Sequence, residues 1–202
     1  MNKLNLGVLA SGRGSNLQAI IDACAAGRLP ARVAVVISDN GNAFALERAR
    51  RAGIPAVHVD MGDFPGKAEY ERQIAGVLKE HGVDLVCLAG YMRLVGNGLL
   101  DAFPGRIMNI HPALLPAFPG LHAQEQAWCY GVKFSGCTVH FVDEGMDTGP
   151  IILQAVVPVY DDDTADTLAE RILEQEHRIY PEAIRLFCEG KLEVRGRKVY
   201  IK

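Results

Sequence analysis

The sequence predicts an α/β fold: a doubly wound, mostly parallel sheet flanked by helices, with an antiparallel addition in the C-terminal half. The first observation is that short, continuous apolar runs alternate with amphipathic segments through residues 4–111. This alternation is typical of βαβ units, whose parallel strands are buried on both faces. The second observation is that the rhythm changes after about residue 120, where a short turn joins two apolar runs.

The first half of the chain contains five predicted strands and three predicted helices. Each strand is an apolar run that ends at glycine or polar residues, and each helix has apolar residues at spacings of three and four. The predicted strands are residues 4–10, 32–40, 56–60, 84–90 and 106–111. The predicted helices are residues 16–27, 43–53 and 67–82, the first with Gly27 as its C-cap.

The second half departs from this alternation. A predicted helix at 123–130 leads into two strands, 135–143 and 151–159, which the short turn makes antiparallel. A long helix follows at 164–190, and we expect Pro181 to kink or divide it because proline removes a helical hydrogen bond. The last residues, 192–202, predict a terminal hairpin about Gly196.

Length and composition exclude several classes of protein. The chain has 202 residues, 49% of them hydrophobic, and a formal net charge of −3 without a basic run, so neither nucleic acid nor an anionic membrane is favoured as a partner. The first 16 residues lack the long apolar run of a signal peptide, and no stretch is long enough to span a membrane. The five cysteines include no CxxC pair, which favours reduced core thiols in a cytoplasmic protein over a zinc site.

A glycine-rich loop, ASGRGSNLQ, lies between the first strand and the first helix. Its glycines allow the backbone to approach an anion, and the N–H groups of the helix start can bind a phosphate. The spacing of Gly12, Gly14 and Leu17 lacks the third glycine of a dinucleotide fingerprint, although Asp39 offers a weak match to its ribose-binding acid. A phosphomonoester site, a tight structural turn and a dinucleotide site remain open. Ser15 and Asn16 are candidates to cap the helix and contact the ligand.

The stretch NIHPALLP places Asn109 and His111 at the carboxyl end of the fifth strand. Residues i and i+2 of a strand share a face, and Pro112 ends the strand there. Open α/β sheets bind ligands at this end of their strands. The turn DEGMDTGP supplies a carboxylate partner, with Asp147, Asp143 and Glu144 as candidates. Asparagine, histidine and aspartate suit acyl transfer, although a structural histidine beside solvated turn acids fits the same pattern.

These motifs together resemble one family. The stretches GSNLQAIIDAC, LAGYMRL, NIHPALLP, PGLH, DTGPII and QEHRIYP occur in the order and spacing of the phosphoribosylglycinamide formyltransferases, folate-dependent enzymes of purine synthesis with a Rossmann-like fold. The resemblance runs from about residue 4 to residue 190. NIHPALLP with the downstream Asp-x-Gly-Pro is shared by folate-dependent formyltransferases in general, and the GSN loop indicates the glycinamide enzyme. Tyr91 stands where the family pattern has phenylalanine.

The resemblance implies roles for individual residues. The implied catalytic residues are Asn109, His111 and Asp147. The implied ribotide-binding residues are Gly14, Ser15, Asn16 and Glu176. The implied folate-binding residues are Lys67, Met92, Arg93, Leu94, Val95, Asn109, Asp143, Glu144, Gly145 and Met146. His122 is expected to be a supporting or structural residue, and the role of His140 is left open.

The implied reaction is transfer of the formyl group of 10-formyltetrahydrofolate to the amine of phosphoribosylglycinamide. Asn109 and His111 hold the oxyanion, Asp147 raises the His111 pKa and keeps it protonated, and no metal is required. The expected chain is one domain, with a phosphate-binding half at 1–110 and a catalytic and folate-binding half at 111–202. It acts on small molecules, without nucleic acid or membrane, as a monomer or homodimer. Two alternatives remain: a formyltetrahydrofolate hydrolase and a non-catalytic phosphate-binding module.

Overall fold

The computed structural model describes residues 3–202, which form two compact units. The first unit ends at Asn109 and the second comprises Ile110–Lys202. The predicted single domain of residues 1–202 stays a prediction, and its first two residues lie outside the described part of the chain. In residues 3–202, no helix combines the length and the apolar character that crossing a membrane requires.

The first unit contains five parallel strands in the order β3-β2-β1-β4-β5. Its strands are β1 (Leu4–Leu9), β2 (Ala31–Ser38), β3 (Ala56–His58), β4 (Leu85–Leu88) and β5 (Ile107–His111), the last of which carries the chain into the second unit. Its helices are α1 (Ser15–Ala25), α2 (Phe44–Arg51), the short 3₁₀ helix Met61–Asp63, α3 (Lys67–Glu80) and α4 (Asn97–Leu100). Because the chain builds outward from β1 in both directions, the carboxyl ends of β1 and β4 form a topological switch point, where open α/β sheets bind ligands.

Burial explains why the strands of this unit read as continuous apolar runs. All four residues of β4 are buried, and so are the last four of β1 and of β2. Strands that are covered on both faces have no solvent side on which polar residues would alternate. This is the reason that the apolar runs, rather than a period of two, predicted the sheet.

The second unit contains two antiparallel pairs, β6 (Phe134–Phe141) with β7 (Ile151–Pro158) and β8 (Leu192–Arg195) with β9 (Lys198–Ile201). β9 also pairs with β7 in parallel. The predicted antiparallel addition and the hairpin at Gly196, which has φ of 59°, are therefore confirmed. Together with the parallel strands of the first unit, they confirm the predicted fold class.

Two helices complete the second unit, α5 (Ala123–Tyr130) and α6 (Ala165–Cys188). The helix α6 continues through Pro181, so the expectation that this residue divides it is wrong. A proline in a helix interior costs about 3 kcal/mol, whereas each fully buried large apolar side chain contributes about 1.5–3 kcal/mol. Several such side chains lie on α6, among them Leu168, Ile172 and Ile184. Burial of this face therefore outweighs the missing hydrogen bond.

Candidate active site

The glycine-rich loop of the first unit connects β1 to α1. Gly14 has φ of 69°, and a Cβ atom there would lie 2.8 Å from the Cα and Cβ atoms of Ala45 in α2. The Ala45 N–H donates to the Gly12 carbonyl at 3.0 Å, which fixes the loop against the start of α2. Gly14 is thus required by both its left-handed backbone and its close packing.

The helix α1 begins at Ser15 with Gly14 as its N-cap and with no side-chain cap. The expectation that Ser15 or Asn16 caps the helix is therefore wrong, because both lie inside the first turn. The first intrahelical bond is donated by the Gln18 N–H to the Gly14 carbonyl at 3.0 Å. Ser15 is partly exposed and Asn16 is buried. A helix start without a side-chain cap, preceded by exposed Gly12, is suited to bind an anion.

A second feature of the first unit is segment 91–96, the irregular stretch between β4 and α4. Its two ends are held by side chains from distant positions. The Met92 N–H donates to Ser11 Oγ at 3.0 Å, and the Gly96 N–H donates to Glu71 Oε1 at 2.6 Å. Glu71, which is only 3% exposed, also accepts a bond from Gly98. The segment is therefore anchored to the glycine-rich loop and to α3.

The middle of segment 91–96 differs from its two anchored ends. In the described chain, no hydrogen bond is donated by the backbone N–H groups of Arg93, Leu94 and Val95. Met92 and Leu94 are exposed, whereas Val95 is buried. Unpaired N–H groups beside exposed apolar side chains match the needs of a flat ligand with a polar, amide-like edge.

Lys67 and Asn109 lie in the first unit as well. Lys67 is the first residue of α3, and its Nζ lies 3.7 Å from Oε1 of the buried Glu71, so the predicted folate-binding lysine sits beside the carboxylate that anchors segment 91–96. Asn109 is partly exposed near the carboxyl end of β5, where it is in register with Leu88 of β4. The sequence correctly placed this asparagine at the end of a buried strand.

In the second unit, one carboxylate faces two histidines. Nδ1 of His111 lies 3.4 Å from Oδ2 of Asp147, and Nε2 of His140 lies 3.6 Å from Oδ1 of the same residue. Both histidines are buried, at 4% and 2% exposure. The Gly120 N–H donates to Asp147 Oδ2 at 2.8 Å. Of the candidate carboxylates in the turn, Asp147 is thus the one that contacts His111.

The ring nitrogens of His111 both face acceptors. Its Nε2 lies 2.8 Å from the carbonyl oxygen of Phe118, so Nε2 must carry the proton in that contact. Burial lowers the pKa of His111, and the Asp147 carboxylate and the Phe118 carbonyl oppose this effect without cancelling it, while His140 adds to the lowering. The carboxylate acts in the predicted direction, but the expectation that it keeps His111 protonated is wrong because desolvation is the larger effect.

Asp147 itself remains readily ionised. Burial would raise the pKa of its carboxyl group, but hydrogen bonds from His140 and Gly120 and the charges of the two histidines hold that pKa below its usual value. Its backbone has φ of 54°, an unusual conformation for a residue other than glycine. Left-handed backbone of this kind is concentrated at functional sites.

The turn that carries Asp147, loop 142–149, is fixed by its own bonds. Asp143 Oδ1 accepts from the Gly145 N–H at 3.1 Å and from Thr148 Oγ1 at 2.6 Å. At Gly149 a Cβ atom would lie 1.7 Å from the carbonyl oxygen of Phe141, so only glycine fits. Glu144, Gly145 and Met146 are exposed at the tip of the loop. Three of the four predicted folate-contacting residues of this loop are thus accessible to a ligand, and Asp143 is only partly exposed.

Glu176 and His122 have contrasting environments. Glu176 lies on α6 and is 6% exposed. Burial of the Cys137 thiol on β6 raises the pKa of that thiol, and the negative charge of Glu176 raises it further. His122 has φ of 57° at the start of α5, and its side chain is 76% exposed, near Glu125. Across residues 3–202, no cluster of three or more histidine, cysteine, aspartate or glutamate residues is arranged to hold a metal ion.

Comparison with known proteins assigns the chain to a family. The family model described as formyl transferase matches residues 4–184. The chain belongs to the formyl transferase family. A crystal structure of glycinamide ribonucleotide transformylase 1 from Symbiobacterium toebii is 61% identical, with a TM-score of 0.98 over 99% of this chain and 94% of that one.

Two curated formyl transferase relatives differ in length from one another. Phosphoribosylglycinamide formyltransferase of Escherichia coli (strain K12) is 42% identical over 198 residues, covering 98% of this chain and 93% of the relative. The trifunctional purine biosynthetic protein adenosine-3 of Drosophila melanogaster is 48% identical over 185 residues, or 91% of this chain. The match spans only 14% of that much longer relative.

The roles of several residues that shape the candidate site were not recognised from the sequence. Glu71 was not recognised because it binds Gly96 and Gly98 from 25 and 27 residues away, and no local pattern marks such a contact. The contact of His140 with Asp147 was also missed, although its position in a buried strand was a usable signal. Asp39 was noticed only as a possible ribose-binding acid, whereas it forms an ion pair with Arg93.

Proposed function

We propose that the chain catalyses transfer of the formyl group of 10-formyltetrahydrofolate to the amine of phosphoribosylglycinamide, as a single domain of residues 1–202 in the cytoplasm. The activities for which the Symbiobacterium and Escherichia relatives are named support the proposal. The observation that carries the proposal is the buried histidine–carboxylate pair of His111 and Asp147 at the end of β5. Such a pair supplies the donor and the proton acceptor that acyl transfer between two substrates needs.

The chemical step requires stabilisation of negative charge on the formyl oxygen. The substrate amine attacks the formyl carbon, a new C–N bond forms, and the bond from that carbon to the folate nitrogen breaks. In the proposal, Asn109 and His111 donate hydrogen bonds to the oxygen as charge develops. In the structure, Nε2 of His111 lies 2.8 Å from the carbonyl oxygen of Phe118. During the reaction, the Nε2–H is proposed to donate to the oxyanion instead of to this carbonyl.

The Asp147 carboxylate is proposed to take part in the proton transfers of the reaction. The attacking amine loses one proton, and the departing folate nitrogen gains one. Asp147, whose pKa is lowered, is ionised at neutral pH and can accept a proton directly or through water. As the oxyanion forms, its charge favours protonation of His111, which Asp147 assists. The histidine is therefore proposed to become cationic during the reaction rather than beforehand.

The folate co-substrate fits groups that the chain leaves available. We assign its pterin edge to the backbone of Met92, Arg93, Leu94 and Val95, because three consecutive N–H groups there have no protein partner in the described chain. Loop 142–149, with Asp143 and the exposed Glu144, Gly145 and Met146, is also proposed to contribute to folate binding. Lys67, exposed at the start of α3, supplies a positive charge for a carboxylate tail.

The ribotide is assigned to the start of α1. The N–H groups of this turn and the Ser15 hydroxyl are proposed to hold its phosphate, with Gly14 allowing close approach and Asn16 supporting the turn. Glu176 is proposed to accept hydrogen bonds from the ribose hydroxyls. It is buried on α6, so this role requires the ribose to reach a largely desolvated carboxylate.

A two-substrate assay tests the proposal. Purified protein is mixed with 10-formyltetrahydrofolate, with and without phosphoribosylglycinamide, and both formylated ribotide and free formate are quantified. We expect formylated ribotide to appear only with both substrates. Formate release that is independent of ribotide would identify the hydrolase instead. Binding of ribotide without any turnover would identify a non-catalytic phosphate-binding module.

A further inference from the structure

Two side chains of segment 91–96, those of Arg93 and Tyr91, also contact other parts of the first unit. Nε of Arg93 donates to Asp39 Oδ2 at 2.7 Å, and the Asp39 side chain, just beyond the end of β2, is only 9% exposed. The same guanidinium group lies 3.0 Å from Met61 Sδ and 5.7 Å from the ring centre of Tyr70. Arg93 therefore joins the segment to three other parts of the first unit.

The second contact involves Tyr91, which stands where the family pattern has phenylalanine. Its hydroxyl lies 2.8 Å from the hydroxyl of Tyr70 on α3. Burial raises the pKa of both tyrosines, so both hydroxyls stay neutral and one donates to the other. A phenylalanine at 91 has no atom for this bond. Tyr91 and Arg93 thus fix the segment through side chains that converge on Tyr70.

The arrangement separates anchoring from recognition. Met92 and Gly96 use their N–H groups as anchors, and Tyr91 and Arg93 use their side chains. Among the described residues, the three consecutive N–H groups of residues 93–95 find no protein acceptor. Because the Arg93 side chain is engaged with Asp39, the peptide of Arg93 is held in one orientation while its own N–H stays available.

We propose that Asp39 and Tyr70, acting through Arg93 and Tyr91, are positioning residues that hold segment 91–96 in the conformation that binds the folate. This inference rests on the proposed function, since it assigns a role within the proposed folate site. In this role, Asp39 and Tyr70 set the affinity for folate and leave the chemical step alone, because their contacts are with Arg93 and Tyr91. In this arrangement the Arg93 side chain is an anchor of the segment.

The test compares wild type with Asp39→Asn, Arg93→Gln, the double variant and Tyr91→Phe. Asp39→Asn nearly keeps the shape of the side chain, and the double variant avoids leaving a buried carboxylate without its cation. Arg51→Gln is the matched control, because Arg51 also pairs with a carboxylate, Glu47, but on the exposed surface of α2. Calorimetry measures the affinity for 5-formyltetrahydrofolate, a stable formyl isomer. Amide exchange is followed at Met92 and Gly96, and kcat is measured at saturating substrates.

We expect Asp39→Asn and Arg93→Gln each to weaken folate binding about tenfold, with the double variant no weaker than the worse single one. Tyr91→Phe should weaken it about threefold, and Arg51→Gln should change nothing. Exchange at Met92 and Gly96 should accelerate in the Asp39 and Arg93 variants, and the kcat of Asp39→Asn should stay within about threefold of wild type. Arg93→Lys, which restores the charge, should recover part of the affinity.

Unchanged folate affinity and unchanged exchange in Asp39→Asn would overturn the inference. So would equal losses of folate affinity, ribotide affinity and kcat, since these would indicate a general structural role. A wild-type protein that transfers no formyl group would instead refute the proposed function. In that case, faster exchange at Met92 and Gly96 in Asp39→Asn would still support the anchoring role, and unchanged exchange would refute it.

Discussion

Segment 91–96 of the first unit and loop 142–149 of the second unit differ in the chemical groups that they offer to a ligand. In segment 91–96 the side chains of Tyr91 and Arg93 are engaged with the protein, and the N–H groups of residues 93–95 have no partner among residues 3–202. In loop 142–149 the backbone is fixed by Asp143 and by the tight packing of Gly149, and the Asp147 carboxylate faces two histidines. One region offers peptide groups, whereas the other offers titratable side chains.

This difference has a chemical consequence. Peptide N–H groups keep their protons over the whole accessible pH range, so recognition through them is insensitive to pH. An imidazole and a carboxylate exchange protons and respond to each other's charge. Folate affinity should therefore depend mainly on backbone conformation in segment 91–96, and the rate of formyl transfer should depend on side-chain identity at His111 and Asp147.

The largest expected effect is on kcat, and it follows from removing the His111 side chain. His111→Ala should lower kcat about 10²–10³-fold with little change in KM, because an oxyanion donor acts in the transition state and contributes little to ground-state binding. Steady-state kinetics with both substrates measures this split. His122→Ala is the matched control, since that histidine is 76% exposed and should leave kcat within about twofold. A His111→Ala enzyme within threefold of wild type would remove His111 from the mechanism.

The second largest effect is on folate affinity, and it follows from changing the backbone at Leu94. Leu94→Pro deletes one of the unpaired N–H groups and fixes φ, so it should abolish measurable folate binding. Leu94→Ala keeps the backbone group and removes an exposed side chain, so it should weaken binding only about twofold to fivefold. Calorimetry with 5-formyltetrahydrofolate compares the two variants, and thermal unfolding checks that both fold. Equal affinities in the two variants would show that the backbone of this segment does not bind the ligand.

A third experiment removes the charge of the Asp147 side chain while nearly keeping its shape. Asp147→Asn should lower the His111 pKa further, because the carboxylate opposes the effect of burial in the wild type. Activity should then fall most at neutral and alkaline pH, where less His111 can take up a proton. NMR titration of His111 measures the shift. Asp143→Asn, in the same loop, should leave that pKa unchanged, and a raised His111 pKa in Asp147→Asn would contradict the coupling.

The sequence predicted the parts of this molecule that local patterns encode. Buried strands, amphipathic helices and the placement of Asn109 and His111 at a strand end follow from the spacing of apolar residues along the chain. The four-residue helix α4 was missed because it is too short to show a period. The net effect on the His111 pKa was missed because it depends on how completely several segments cover one ring. Contacts such as Asp39 with Arg93 join residues 54 positions apart and leave no local mark.

The smallest expected effect concerns stability, and it follows from the lowered pKa of His111. The folded state holds this histidine neutral at pH values where the unfolded chain, with a pKa of about 6.5, already binds a proton. Proton uptake therefore favours the unfolded state, and the stability that a neutral His111 allows is present above about pH 6.5 and is lost as pH falls toward the lower folded pKa. The loss is about 1.4 kcal/mol for each unit by which the two pKa values differ. Urea unfolding of wild type and His111→Asn between pH 8 and pH 5.5 measures this term, because the variant lacks the titrating ring but keeps the other five histidines. Wild type should lose stability relative to His111→Asn as the pH is lowered. If wild type gained stability relative to the variant instead, His111 would be protonated in the folded state, and the attraction of Asp147 would exceed the effect of burial.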